Sequence, residues 1–267
     1  MSPRLISVLV LNILIYAVNI LAYAARIAGI RTRRPAQANS LYNLLALSAR
    51  AAFAIQATLL AGLVDRAEAS AVIDLTATLR LLLLAAAAGI VAGATLLPTF
   101  TRILVRGTRS WERRGSMPRV ILHGLSIEGL PQMWNLLRRP RASAIHYARQ
   151  NRPGKGWIAI TLLVAALNAV AGPAAQIASV TAAQGTRTSL TLPTFFTGLG
   201  LILIVFLVDP ITAQVMDQAL RGERPDGDVI VFTVWQIGGR LGGVLAAQLL
   251  LEPMSVFFAM ITQWLIH

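Results

Sequence analysis

Residues 5–28 read LISVLVLNILIYAVNILAYAARIA, 24 positions with one charge, Arg26, near the end. A helix rising about 1.5 Å per residue needs about 20 predominantly apolar residues to cross a hydrocarbon layer about 30 Å thick. This stretch is therefore read as a membrane span. It exceeds the apolar region of a secretory signal, about 7–15 residues, and runs into Arg26 and Arg31 instead of a small-residue cleavage site, so it is read as permanent. Five further runs qualify, at 40–64, 81–104, 157–180, 192–216 and 229–251. A shorter apolar stretch at 254–266, set off by Pro253, reads as an extension of the sixth span or as an interfacial helix. The expected fold is an all-α integral membrane protein: a single transmembrane domain, a polytopic bundle of about six transmembrane helices, with a basic loop at 105–156.

Composition agrees. Of 267 residues 56% are hydrophobic and 13% charged, against about 25% charged in an average soluble domain, too little polar surface for a fold in water. The net charge of +13 comes from 23 arginines and one lysine. In a soluble chain that excess would point to nucleic acid; here most of the arginines lie between apolar runs, and the partners expected are membrane lipids and no nucleic acid. With no cysteine there is no disulfide, iron–sulfur cluster or thiolate zinc site. His123 and His146 lie in the basic loop and His267 ends the chain. No HExxH, phosphate-binding glycine loop or acidic cluster for magnesium is present. No cofactor or metal is expected, and an enzyme becomes the weaker reading.

Basic residues also set the expected orientation. Arg31, Arg33 and Arg34 follow the first span without an acid, and 105–156 carries eleven basic residues against Glu112 and Glu128. Both connections should face the cytoplasm. The balanced 65–80 connection and 181–191, with Arg187 alone, should face outward, which puts both termini outside. Within the long loop, 120–137 is apolar around Pro131 and followed by arginines. It reads either as amphipathic helices on anionic headgroups or as a charge reservoir that sets topology.

Polar residues inside the spans carry the chemistry. Asn12, Tyr16, Asn19, Tyr23 and Arg26 follow one another at steps of four, three, four and three, one stripe at about 100° per residue. An amide in hydrocarbon needs another helix or a wet cavity to replace lost water; the stripe favours a cavity, with helix-to-helix bonding as the alternative. In the second span Asn43 and Arg50 share a face, with Gln56 elsewhere on the helix. Arg50 lies about 15 Å into its run, too deep to snorkel easily. A central arginine costs at least about 2.5–3.5 kcal/mol, so it requires a carboxylate partner or a hydrated anion site.

The sixth span repeats the theme with Gln236 and Arg240 among Gly238, Gly239, Gly242 and Gly243, glycine spacing that suits a bundle seam or a homodimer contact. Gly89 and Gly93 suggest another such seam. Asp209, before Pro210, is the carboxylate clearly inside a span. Proline removes a backbone donor, so a helix break is expected there. Asp209 would neutralise Arg50 or Arg240, or take up a proton that couples transport. Pro173, beside Gly172 and following Asn168, suggests a second break.

Taken together these residues describe buried guanidinium and amide groups suited to an anion carried by lipid. Arginine grips phosphate through two parallel N–H donors where lysine offers a point charge. The chain also resembles the Amj family of lipid II flippases, the alternate to MurJ in bacterial cell-wall synthesis. The resemblance rests on Tyr23-Ala24-Ala25-Arg26-Ile27-Ala28-Gly29-Ile30-Arg31-Thr32 and on Ser40-Leu41-Tyr42-Asn43 with Arg50 and Gln56. Pro98-Thr99-Phe100 with Arg102, and Val208-Asp209-Pro210 through Asp217 to Asp228, extend it over nearly the whole chain. At Phe53 and Thr58 the chain departs from the family pattern of Asn and Pro.

The resemblance implies a bacterial inner-membrane protein that moves undecaprenyl-pyrophosphate-linked disaccharide pentapeptide to the outer leaflet without covalent chemistry. On that reading, alternating access would use Arg31, Arg33 and Arg34 to collect the headgroup. Arg26, Arg50 and Arg240 would hold the pyrophosphate. Asn12, Asn19 and Asn43 would meet the sugars, with Tyr23, Gln56 and Gln236 completing a polar cavity. The other readings are a membrane phosphatase for polyprenyl pyrophosphates and a non-catalytic scaffold for cell-wall synthases.

Overall fold

A computed structural model describes residues 3–64, 72–114, 142–181 and 186–266, and these are helices and short connections. Six helical stretches are long and apolar enough to span a membrane: Pro3–Thr32, Pro35–Gly62, Leu75–Thr108, Lys155–Thr181, Arg187–Leu220 and Gly227–Ile266. The chain is an all-α, multi-pass membrane protein. The expected amphipathic segment at 120–137 lies outside the described residues.

The first span consists of α1 (Pro3–Leu21) and α2 (Tyr23–Thr32), with a joint at Ala22. There the Ala25 N–H reaches the Ala22 carbonyl at 3.1 Å, a tightened turn within the ladder. α2 turns into α3 (Pro35–Val64) through Arg33, whose φ of 55° is the left-handed conformation usually taken by glycine. The backbone N–H of Arg33 and that of Arg34 donate to the Ile30 and Gly29 carbonyls, closing the end of α2.

The third span is α4 (Val72–Arg114). A short helix, α5 (Ala142–Gln150), precedes α6 (Lys155–Thr181). The fifth span is α7 (Thr186–Leu203), a π-helical turn at Ile204–Val208 and then α8 (Asp209–Leu220). The last is α9 (Gly227–Ile266).

Three of the prolines behave differently. Pro210 sits where a break is expected: the Asp209 N–H bonds to the Ile204 carbonyl, five residues back, in the widened turn. Pro173 does not break α6, contrary to the sequence expectation. It is buried, as are Ala171, Ala174 and Ala175 around it, and the helix runs through it unbroken. Pro253 does not interrupt α9 either, so 254–266 extends the sixth span.

In lipid, helices associate by close packing of small residues, and the glycines mark two seams. A Cβ on Gly243 would stand 2.6 Å from Ala165 Cβ and 2.8 Å from the Leu162 carbonyl oxygen, and one on Gly239 would meet Thr161 Cγ2 at 2.8 Å. The Gly239–Gly243 face of α9 is thus filled by α6 of the same chain, the bundle seam of the two sequence readings, while Gly238 has nothing within 4 Å. Gly93 presses α4 on the Ala17 carbonyl of α1, 2.8 Å from the same hypothetical carbon, and Gly89 is tighter still against Ile13. Substituting Gly243→Val is expected to cost about 1–3 kcal/mol through overpacking, read as a lower thermal midpoint in detergent. Gly238→Val is the control: nothing lies within 4 Å of that position, and its midpoint should not move.

By contrast α3 packs on α1 and α2 and only slightly on α4, and stands at the edge of the bundle. One of its faces borders a chamber inside the protein.

Candidate functional site

The chamber is a partly open cavity of about 300 Å³ lined by α1, α2, α3, α6, the bent fifth span and α9. Tyr16 and Asn19 enter from α1, and Tyr23 from α2. Tyr42, Arg50 and Phe53 come from α3, and Thr161 and Asn168 from α6. Thr197, Ile204, Val208 and Asp209 line the fifth span's side, and Gln236 and Arg240 that of α9.

Its periodicity explains the assembly. Tyr16, Asn19 and Tyr23 keep the expected stripe through the joint at Ala22, because Ala22 itself stays right-handed helical. Gln236, Arg240 and Val244 follow at steps of four on α9, one face of a helix. Asp209, just after the π turn, lines the chamber from the fifth span's side. The Val208 carbonyl accepts from Thr212 Oγ1 at 2.9 Å and from Trp157 Nε1 at 3.5 Å.

Two guanidinium groups share the chamber. Among the described residues neither Arg50 nor Arg240 has a carboxylate within ion-pair distance. The Arg240 guanidinium carbon stands 5.3 Å from the Tyr23 ring centre, a cation–π contact that offsets part of its desolvation. Arg50 and Phe53, both exposed on α3, form the wall at the bundle's edge.

Arg26 belongs to a neighbouring cluster. Its Nη2 donates to Asp209 Oδ1 and its Nη1 to Gln236 Oε1, both at 3.3 Å. The same group lies 4.6 Å from the Tyr42 ring centre and 5.5 Å from that of Tyr23. Asp209 therefore pairs with Arg26, and not with Arg50 or Arg240 as the sequence suggested. Both Asp209 and Gln236 line the chamber, while Arg26 stands behind them.

Several expected site residues lie elsewhere. Asn12, 2% exposed, donates from Nδ2 to the Leu82 carbonyl at 2.7 Å and joins α1 to α4. Asn43 is exposed and about 10 Å along α3 from Arg50. Gln56 is 2% exposed, its Oε1 has no partner among the described residues, and it does not line the chamber. Arg31, Arg33 and Arg34 lie at the turn between α2 and α3. Arg33 closes the far end of α8, donating to the Ala219 carbonyl at 2.8 Å and standing 3.4 Å from Asp226.

Other lining residues escaped the sequence reading. Thr161 bonds its own helix at the Trp157 carbonyl, 2.8 Å away, as span threonines commonly do, so nothing singled it out. Asn168 was visible as a span amide but attached to the proline bend. At one end of the bundle Trp235 Nε1 donates to the Ala148 carbonyl at 2.7 Å, and the Tyr147 hydroxyl to Asp228 at 3.4 Å. These contacts moor α5, the end of the basic loop, to the base of α9.

The family described as Amj, alternate to MurJ, matches residues 11–262. A protein of Bacillus subtilis (strain 168) named Lipid II flippase Amj is 26% identical over 253 residues, covering 94% of this chain and 94% of that protein. No solved structure matches the chain.

Proposed function

The chain belongs to the Amj, alternate to MurJ, family, and from that premise we propose that it is a lipid II flippase of the bacterial inner membrane. Its substrate is a polyprenyl pyrophosphate bearing a sugar and peptide headgroup, carried between leaflets with no bond made or broken. The observation that carries this reading is the pair of guanidinium groups, Arg50 and Arg240, which share one chamber within the membrane spans and have no carboxylate partner among the described residues. A pyrophosphate offers several acceptor oxygens to their N–H donors, and the low dielectric strengthens each bond. The edge position of Arg50 and Phe53 lets the headgroup enter from the side while the polyprenyl tail stays in lipid.

Positive-inside placement puts 105–156 in the cytoplasm and both termini outside. The Arg26–Asp209–Gln236 cluster then borders the chamber on its cytoplasmic side. Arg50 and Arg240 lie about 20 Å from the cytoplasmic ends of their helices, near the bilayer midplane, where transport sites beside interrupted helices commonly lie. With the interior negative, moving about two negative charges outward gains roughly 4–5 kcal/mol per 100 mV, enough to favour export without another energy source.

The test is complementation of a bacterium depleted of its other lipid II flippase. Growth and labelled lipid II at the outer leaflet are expected; lysis with the precursor held inside would refute the reading. Purified chain incubated with polyprenyl pyrophosphate should release no phosphate, and stoichiometric turnover to phosphate would favour the phosphatase reading.

A further inference from the structure

Among the described residues three buried side-chain oxygens have no hydrogen-bond partner, on Gln37, Gln56 and Asn168, and of these residues Asn168 alone lines the chamber. A span amide with a structural task looks different: Asn12 is bonded to the neighbouring helix at 2.7 Å. Asn168 performs no such task, and its orphaned acceptor is unfavourable in a protein interior.

The facing helix is shaped around that amide. A Cβ on Gly200 of α7 would stand 2.8 Å from Asn168 Oδ1 and 3.2 Å from its Nδ2, so the side chain keeps its position because residue 200 has none. As placed, Oδ1 is sealed on the Gly200 side and out of reach of a ligand; a half-turn of the amide plane exchanges oxygen and nitrogen and presents the acceptor where Nδ2 now stands.

An acceptor without a partner calls for a donor. Ionised pyrophosphate has acceptor oxygens only, which Arg50 and Arg240 suit. Donors are found on the sugar hydroxyls and amide N–H groups attached to it. We propose that Asn168 is a specificity-determining residue that accepts a hydrogen bond from a hydroxyl or amide N–H of the substrate's sugar-bearing headgroup, held in place by Gly200. This rests on the flippase reading and adds how the chamber tells a glycosylated lipid pyrophosphate from a bare one.

The experiment compares binding of lipid II and of undecaprenyl pyrophosphate to the purified full chain in nanodiscs. Asn168→Ala should weaken lipid II binding about tenfold, the effect of one lost hydrogen bond, and leave the bare lipid within about twofold. Gly200→Ala should show the same selective loss by displacing the amide. The thermal midpoint of Asn168→Ala should not fall, since no protein partner is lost. Unchanged lipid II binding, equal loss for both lipids, or a lowered midpoint would overturn the assignment. If the unsubstituted chain binds neither lipid, the flippase reading itself falls and takes this one with it.

Discussion

Replacing Arg50 and Arg240 together by glutamine is expected to reduce lipid II translocation to the background of empty vesicles, while the helical bundle still inserts and folds. A hydrogen bond to a charged group contributes about 1.5–3 kcal/mol, so each single replacement should cost about ten- to hundredfold and the pair the product or more. Misfolding is a poor alternative explanation, because each arginine removed from mid-span relieves an insertion cost of at least about 2.5–3.5 kcal/mol. Lysine should give an intermediate result at either position, retaining charge and losing the paired donors that fit phosphate. The measurement is quencher accessibility of fluorescent lipid II in vesicles, and translocation by the doubly substituted chain at the unsubstituted rate would remove both cations from the transport route.

These two arginines were readable in the sequence because a charge in hydrocarbon has few innocent explanations. The spans were readable for a related reason: 20 or more apolar residues leave little else to consider. What periodicity could not provide was the identity of the neighbour. Asn12 and Asn19 lie on one stripe, yet Asn12 meets the α4 backbone at Leu82 and Asn19 meets the chamber. A hydrophobic stripe reports which face is buried; for a polar stripe, the tertiary partner decides between a bond to protein and a wet wall.

The prolines make the same point. Pro210, Pro173 and Pro253 all lack the backbone donor, but only at Pro210 does the helix widen. There the Asp209 N–H reaches back five residues to the Ile204 carbonyl, while α6 runs on through Pro173. The pairing of Asp209 was similarly out of reach. Its carboxylate lines the same chamber as Arg240, yet the guanidinium within ion-pair distance is that of Arg26 on α2.

That pairing gives the second large expected effect. Arg50, Arg240, Arg26 and Asp209 together carry a formal charge of +2. Arg26→Ala lowers it to +1 and leaves the Asp209 carboxylate facing an incoming pyrophosphate, so translocation should fall about tenfold. The carboxylate side chain is 42% exposed and its partner 16%, so solvent screening limits the cost to about 1–2 kcal/mol, below the 3–5 of a fully buried broken pair. Adding Asp209→Asn to Arg26→Ala returns the sum to +2 and should recover most of the activity. If Arg26 instead grips the substrate directly, as the sequence stripe suggested, the second substitution supplies no replacement donor and the doubly substituted chain stays inactive. Recovery therefore assigns Arg26 the task of neutralising Asp209, and leaves Arg50 and Arg240 as the cations that meet phosphate.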